Sequence, residues 1–436
     1  MRSRILWWSA AAIVLTLYTW GIASVPLFEP DEGRYAEIPR EMLARGDLVT
    51  PHLDGVLYFE KPVLYYWLTA GALATLGHNE LACRIWNAIF GLVGIALAFL
   101  LGRSIGGDRM SGAMAALVLA TAPVYFAFSR VNSIDMLVSF LIGLCLTAFW
   151  FAQSEEAPRR RRLLWYLVAL AAALAVLAKG LIGLLIPGAV AFLYILATRR
   201  WKIIPDFPWV GGGALFLLVA APWHVLAALR NPDFLWFYFV HEHFLRYLTP
   251  EAHRSAPWWI FLAVILLGLA PWSGALAGIA RGWRDLRAGS GRHRQYEGVI
   301  FLTSWAGFVL VFFSLSHSKL IPYVLPAILP AAVLAALALS LARQAVGGAW
   351  APRGAAVTSL LPAILLLAGW LLLDGRFGVR AIPLSGIHSS FAWYRGFAAA
   401  AVAALVTAAA ALWSRRVKAG AAAAALGGGL ALAALL

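Results

Sequence analysis

Long apolar runs recur along almost the whole of this 436-residue chain. A helix that crosses the hydrocarbon core of a bilayer needs about 20 predominantly apolar residues. Candidate runs of that kind lie at 5–27, 81–102, 111–128, 134–152, 163–178, 180–198, 209–229, 258–280, 298–315, 321–342, 354–373, 396–413 and 419–436. Only 13% of the residues are charged, whereas soluble domains carry about 25%. The sequence therefore predicts an all-α integral membrane protein with about 12 or 13 transmembrane helices, the last of them weak.

Two segments need a separate interpretation. Residues 63–77 are apolar but short and aromatic, so we expect an external helix at the interface, with Tyr65, Tyr66 and Trp67 in an aromatic belt. The stretch 163–198 could form one long helix or two spans. The distribution of Lys and Arg in later loops favours two spans that turn at Lys179-Gly180.

The excess of positive charge gives the orientation. The chain has a formal net charge of +15, and cytoplasmic loops of membrane proteins are enriched in Lys and Arg. With Arg2 and Arg4 inside and an uncleaved first span, the basic segments 159–162 and 281–297 also fall inside. The outer loops are then balanced in charge. The excess is thus a topology signal and not a nucleic-acid site, and we expect a multi-pass protein of the bacterial inner membrane.

With this orientation, the polar residues that are unusual for a membrane protein collect on the periplasmic side. They occupy a first external loop at about 28–62 and the outer ends of later spans. The candidates are Asp31, Glu32, Arg34, Tyr35, Tyr58, Glu60, Lys61, Asp135, Lys179, His241, Arg246, Lys319 and Tyr323.

These residue types suit chemistry on a lipid phosphate. Adjacent carboxylates such as Asp31 and Glu32 can act as a general base or orient an acceptor. Cations at headgroup depth, among them Lys61, bind phosphate well. Glu60 and His241 could share a divalent cation, either zinc or magnesium or manganese. Nucleotide sugars are absent outside the cytoplasm, so a lipid phosphate would have to carry the activated group.

Each candidate also has a purely structural interpretation. Asp31 and Glu32 could be acids that cap a helix in a solvated loop, and Lys179 could be a snorkelling lysine at the end of a short span.

Two further pairs are equally open to that interpretation. His241 and Arg246 could lie on the surface of an amphipathic external helix. Asp135 could pair with Arg130 for stability alone.

The first external loop carries a recognisable pattern. Asp31-Glu32-Gly33-Arg34-Tyr35-Ala36-Glu37, followed by Arg40-Glu41-Met42, resembles the first-loop signature of bacterial aminoarabinose transferases. These enzymes belong with the protein O-mannosyltransferases in the GT-C class of glycosyltransferases. Tyr58-Phe59-Glu60-Lys61-Pro62 is similar to the second motif of that family. The resemblance is dense over residues 25–70 and continues as isolated matches further along the chain.

The resemblance implies a GT-C fold and an inverting sugar transfer on the outer face of the membrane. The donor would be undecaprenyl phosphate carrying 4-amino-4-deoxy-L-arabinose or another pentose or hexose, and the acceptor an envelope component such as lipid A. The implied roles are catalysis at Asp31 with its neighbour Glu32, donor-phosphate binding at Lys61, Arg246, Tyr323 and Lys179, further substrate contacts at Arg34, Tyr35, Tyr58, Asp135 and Lys319, and metal binding at Glu60 and His241.

The chain departs from the aminoarabinose transferases after its last apolar segment. Those enzymes carry an external soluble domain there, so we expect a single membrane domain over 1–436 without an appended soluble domain, and the acceptor stays open. A lipid or sugar transporter is the competing hypothesis, although a transporter favours ionisable residues near the bilayer midplane. A non-catalytic scaffold would leave the one-sided polar residues without an explanation.

Overall fold

A computed structural model describes residues 2–249, 256–288, 292–343, 349–373, 388–414 and 416–434. Apart from one small hairpin, the regular structure in these ranges is helical. The α-helices are α1 Arg2–Thr19, α2 Asp31–Arg45, α3 Leu64–Leu76, α4 Glu80–Gly106, α5 Arg109–Ala120, α6 Pro123–Phe128, α7 Ile134–Ala152, α8 Pro158–Lys179, α9 Ile182–Thr198, α10 Ile203–Asp206, α11 Trp209–Arg230, α12 Arg246–Leu248, α13 Ile260–Gly268, α14 Ala277–Ala288, α15 His293–Leu315, α16 Leu325–Arg343, α17 Trp350–Leu373, α18 His388–Trp413 and α19 Val417–Ala434.

Three other helical elements and two short strands complete the set. A π-helix covers Trp236–Leu245, and 3-10 helices cover Ser273–Leu276 and Ile321–Val324. Strands β1 His52–Leu53 and β2 Val56–Leu57 pair antiparallel. The prediction of an all-α membrane fold is confirmed.

Every predicted span coincides with an apolar helix or a broken pair of helices. By length and composition, eight helices in the described ranges can cross a membrane, or nine if a bent pair counts as one span. The apolar helices α5, α9 and α19 are shorter than a full crossing. The expected count of about 12 or 13 therefore holds for apolar helical segments, whereas fewer of them are long enough to span alone.

Two predicted spans are interrupted. The run 111–128 divides into α5 and α6 at Thr121 and Ala122, where Pro123 begins the second helix. The run 258–280 bends by 109° between α13 and the segment that starts at Ser273. Hydropathy cannot detect such breaks, because an interrupted segment stays apolar throughout. The first predicted run also ends early, since α1 stops at Thr19.

The ambiguous stretch 163–198 forms two helices. α8 ends at Lys179, and α9 starts at Ile182. Gly180 takes a φ of 85° between them, a conformation that favours glycine. The predicted turn at Lys179-Gly180 is therefore present, and it places Lys179 at a helix end.

Helix α16 forms the centre of the bundle. The whole of its candidate span is buried inside the protein, and α7 is the next most enclosed, with 83% of its span buried. Small residues on α16 let neighbouring helices approach closely, and the hydroxyls of Ser111 and Ser340 lie 2.7 Å apart between α5 and α16. α11 has only 22% of its span buried, as expected for a helix that faces lipid.

The first external loop folds into a layer formed by α2, the β1–β2 hairpin and α3. Tyr65 and Tyr66 on α3 are fully buried, and the Tyr65 hydroxyl donates to Asn132 Oδ1 at 2.6 Å. Trp67 is partly exposed. The aromatic belt predicted for this segment is thus wrong for the two tyrosines, because their side chains pack inside the protein.

Candidate active site

A cavity of about 750 Å³ opens at one end of the bundle, where α8 and α15 end and α9 begins. Five residues predicted from separate parts of the sequence line it, namely Glu60, Lys61, Lys179, Arg246 and Tyr323. Apart from the neighbours Glu60 and Lys61, these residues are far apart in the chain, so the helix bundle, and not local sequence, brings them together. The cavity is the candidate active site.

Two cations and two carboxylates form a cluster at its polar end. Glu242 Oε2 accepts from Arg246 Nη1 at 2.6 Å and from Lys61 Nζ at 3.1 Å. Arg246 Nη1 also lies 3.3 Å from Glu60 Oε2, and Lys61 Nζ donates to the Glu60 carbonyl at 2.6 Å. Glu242 had no predicted role, yet it joins the two predicted phosphate ligands.

Burial and charge shape the proton equilibria of this cluster. Burial lowers the pKa of Lys61, which the neighbouring Glu242 only partly offsets. Burial alone would raise the pKa of Glu60, but the positive charges of Lys61 and Arg246 outweigh it, and that pKa is lowered. The pKa of Arg246 is raised by its anionic neighbours despite its burial. The cluster therefore holds charged groups of both signs at neutral pH.

Lys179 and Tyr323 form a second group on the cavity wall. The Lys179 ammonium makes an ion pair with Asp135 and lies 4.9 Å from the centre of the Tyr323 ring. The Tyr323 ring in turn packs against Phe313, with ring centres 5.0 Å apart. Asp135 lies in the first turn of α7 and is buried. The predicted residue Asp135 thus reaches the site through Lys179, and no ion pair with Arg130 is formed in the described structure.

Asp31, Arg34, Tyr35 and Tyr58 form a separate group and are not among the residues that line the cavity. Asp31 starts α2, and its side chain is 70% exposed. Arg34 Nη1 lies 3.9 Å from Asp31 Oδ1 and 3.4 Å from the Tyr58 hydroxyl. Burial raises the pKa of Tyr58, and the charge of Glu60 raises it further. Arg34 and Tyr58 therefore connect the exposed carboxylate to the cation cluster.

Tyr35 packs in the interior of the protein next to this group of residues. Its side chain is buried, and its ring meets that of Tyr65 edge-on, with centres 5.9 Å apart. Burial raises its pKa well above the ordinary range, so the phenol stays protonated.

Glu32 has surroundings unlike those of Asp31. Its side chain is 1% exposed and accepts from Arg84 Nε at 2.8 Å and Arg84 Nη2 at 2.6 Å. The backbone amides of Asn132 and Phe28 donate to it as well, at 2.6 and 2.8 Å. Burial raises the pKa of Glu32, but these hydrogen bonds outweigh it, and the pKa is lowered.

We therefore correct the pairing of Asp31 and Glu32 as catalytic residues. An ionised carboxylate with all of these partners is closed to an acceptor, so Glu32 anchors the N-terminus of α2. Asp31 alone is presented to the solvent side of the site.

His241 and Lys319 make contacts other than those expected. His241 Nδ1 lies 3.4 Å from Glu242 Oε1, and its ring stacks on Phe237. Lys319 Nζ donates to the Ser316 carbonyl at 2.5 Å, and Lys319 is not among the residues that line the cavity. A direct substrate contact by Lys319 stays a prediction.

The expected metal pair also stays a prediction. Carboxylate and imidazole are suitable ligands for a divalent cation, so Glu60 and His241 fit by donor type, with Glu242 beside them. Among the described residues, three donors close enough to hold one ion occur at Glu37, Glu41 and Asp54. There, Arg40 already binds Glu37, and Arg45 binds Glu41.

The remaining wall of the cavity is apolar. It is formed mainly by Leu181, Ile182, Leu184, Leu185, Phe244, Leu248, Phe312 and Phe313. Leu184 and Leu185 on α9 are 47% and 45% exposed. A charged head and a lipid-accessible apolar wall in one cavity match an amphiphile with a phosphate at one end.

Comparison with known proteins decides the family. Residues 5–239 match the model of the dolichyl-phosphate-mannose-protein mannosyltransferases. The chain belongs to this mannosyltransferase family. It is also 34% identical to an undecaprenyl phosphate-α-4-amino-4-deoxy-L-arabinose arabinosyl transferase from Pseudomonas aeruginosa, over 85% of this chain and 66% of that protein. The enzyme of the same name from Edwardsiella ictaluri is 31% identical over 88% of this chain and 68% of its own length.

Solved structures agree with this membership of the mannosyltransferase family. ArnT from Cupriavidus metallidurans, crystallised with undecaprenyl phosphate, superposes with a TM-score of 0.79 at 31% identity, covering 98% of this chain and 77% of that one. An oligosaccharyltransferase from Archaeoglobus fulgidus shares the fold, with a TM-score of 0.54 at 15% identity over 95% of this chain and 55% of its own. The expected GT-C architecture is confirmed. The chain spans 62–66% of the length of three matched P. aeruginosa relatives.

Proposed function

We propose that this chain transfers a sugar from undecaprenyl phosphate to an acceptor of the cell envelope. The sugar is 4-amino-4-deoxy-L-arabinose in the first instance, or another pentose or hexose, and lipid A is one candidate acceptor. The reaction takes place on the periplasmic face of the inner membrane. The observation that supports it most is the cavity in which Lys61, Arg246 and Tyr323 face an apolar wall.

The mechanism is a direct displacement with inversion. An acceptor oxygen attacks the anomeric carbon, and the bond from that carbon to the phosphate oxygen breaks. The bonding electrons pass to the lipid phosphate, whose added negative charge lies beside Lys61 and Arg246. Fixed cations in a partly dry site stabilise such developing charge strongly.

Asp31 acts on the acceptor side of the displacement. Its exposed carboxylate accepts the proton of an acceptor hydroxyl, and the Arg34 guanidinium lies 3.9 Å from it. If the acceptor is itself a phosphate, no proton has to be removed and Asp31 only orients it.

A divalent cation at Glu60 and His241 is a separate proposal. Such an ion would supply additional positive charge beside the leaving phosphate. The test is metal content by mass spectrometry of the purified protein and of Glu60→Gln and His241→Ala. A stoichiometric ion lost from both variants supports the proposal, and equal content in all three rejects the pair as its ligands.

The transfer itself is tested with radiolabelled sugar on undecaprenyl phosphate in membranes. We expect the wild type to label an envelope acceptor and both Asp31→Asn and Lys61→Ala to lose transfer. Unimpaired transfer by both variants would reject the site. Movement of the donor across sealed vesicles, without transfer to any acceptor, would favour the transporter hypothesis instead.

A further inference from the structure

The least expected feature of the cavity is the position of Glu242. Its side chain is only 4% exposed, and one oxygen bridges Lys61 and Arg246 at 3.1 and 2.6 Å. These are the cations to which the proposed function assigns the donor phosphate. A phosphate oxygen that bound both cations would need the place that the Glu242 carboxylate holds.

This bridge compensates the charge of the two cations. Two buried cations side by side repel each other, and an unpaired buried charge is costly. Glu242 neutralises the pair and keeps both side chains aimed at one point. An anion already at that point must also compete with any phosphate that enters.

The competition differs between donor and product. The donor phosphate is a diester with one negative charge, whereas the polyprenyl phosphate left after transfer is a monoester with about −1.5 to −2 charges at pH 7. A nearby carboxylate therefore repels the product more strongly than the donor.

The backbone around Glu242 is suited to an exchange of partners. The residue lies in the π-helix Trp236–Leu245, a form that is rare in proteins and frequent at functional sites. Its other oxygen lies 3.4 Å from His241 Nδ1. The Glu242 carboxylate thus already lies beside an imidazole while it bridges the two cations.

We propose that Glu242 is an exchangeable counterion that occupies the phosphate position between Lys61 and Arg246 and expels the spent polyprenyl phosphate. This positioning role rests on the proposed function, since it assumes a lipid phosphate as ligand. It predicts that removal of the charge tightens phosphate binding and slows turnover.

The test compares the purified full chain with Glu242→Gln, which keeps the size of the side chain. Binding of undecaprenyl phosphate is measured by titration in nanodiscs, with inorganic phosphate as a second probe. We expect roughly tenfold tighter binding of undecaprenyl phosphate by the variant. Inorganic phosphate, which lacks the chain for the apolar wall, should bind more weakly to both proteins. Glu156→Gln removes an exposed carboxylate elsewhere in the chain and should bind both probes like the wild type.

Steady-state kinetics separate this role from a merely structural one. For Glu242→Gln, we expect a lower KM for the donor, a lower kcat and stronger inhibition by undecaprenyl phosphate. A structural role predicts a higher KM and weaker binding. If Glu242→Gln does not fold, Glu242→Asp takes its place, because the shorter side chain weakens the bridge. This variant should also bind undecaprenyl phosphate more tightly than the wild type, by a smaller factor than expected for Glu242→Gln.

Each outcome has a definite consequence. Equal or weaker binding of undecaprenyl phosphate by a folded Glu242 variant overturns the counterion proposal and leaves the proposed function standing. Stronger binding of inorganic phosphate than of the lipid overturns the assignment of the ligand. Failure of the wild type to bind undecaprenyl phosphate overturns both proposals together.

Discussion

The guanidinium of Arg84 holds both carboxylate oxygens of Glu32, with Nε at 2.8 Å and Nη2 at 2.6 Å. The same side chain donates to the carbonyls of Ile22, Val25 and Pro26. One arginine at the start of α4 therefore fastens the end of the first apolar segment to the N-terminus of α2. This arrangement fixes the place from which Asp31 projects.

Removal of Arg84 should destabilise the protein strongly. Loss of one partner from a buried pair costs roughly 3–5 kcal/mol, because the other charge stays buried and uncompensated. We expect Arg84→Ala to lower the thermal midpoint in detergent by far more than Asp31→Asn, whose side chain is exposed. Arg84→Lys should restore little, because lysine cannot bind both oxygens in the same way. Equal midpoints for the Arg84 and Asp31 variants would contradict this role.

Donor binding should weaken at alkaline pH. The weakening should begin at a lower pH than the one at which an ordinary lysine loses its charge. Burial lowers the pKa of Lys61 below its usual value, which is about 10.4. As pH rises through that lowered pKa, Lys61 loses its charge, and the anionic donor loses a partner. The measurement is kcat/KM for the donor between pH 7 and 10. Lys61→Arg, which stays charged, should flatten the decline, and an unchanged profile in that variant would exclude Lys61 as its origin.

Asp135 and Lys179 should act as a unit. Their ion pair holds the Lys179 ammonium over the Tyr323 ring, so either single substitution disturbs the same cavity wall. We expect Asp135→Ala, Lys179→Ala and the double variant to lose transfer activity to similar extents. The effects of substitutions at two residues in contact are generally not additive. Losses that multiply in the double variant would show that the two residues contribute independently.

The apolar wall should select for the lipid chain. Leu184 lines the cavity, so Leu184→Trp should raise the KM for a full-length undecaprenyl donor by about tenfold and leave a two-isoprene donor nearly unaffected. Leu217→Trp provides a matched control, because Leu217 is 61% exposed on α11 and does not line this cavity. Equal effects on the long and short donors would place the chain elsewhere.

The sequence and the structure agree where a signal is local. Hydropathy located the apolar helices, since each span carries its own signal, and the charge distribution correctly divided 163–198 at Lys179-Gly180. The motif around Lys61 contributes Glu60 and Lys61 to the wall of the cavity, whereas Asp31 does not line it. Residues such as Asp135 and Tyr323 became candidates because they lie at the ends of predicted spans, whereas their individual roles were implied only by the resemblance.

The residues that were missed depend on contacts between distant segments. Glu242 and Lys61 are 181 positions apart, and no local pattern predicts that they meet. Arg84 did give a signal, because an ionisable residue within an apolar run is costly unless it is paired. Its partner Glu32 was assigned to catalysis because adjacent carboxylates look alike in sequence, whereas burial separates them in the fold.

Leu184 and Leu185 line the cavity and are 47% and 45% exposed. We expect this wall to be open to the surrounding lipid, and that has a kinetic consequence. A polyprenyl donor can enter sideways and need not leave the bilayer. The quantity that then saturates the protein is the mole fraction of donor among the surrounding lipids, and not its amount per volume of buffer. Dilution of reconstituted vesicles with buffer should leave the rate per protein unchanged, whereas dilution of the donor with inert phospholipid should lower it.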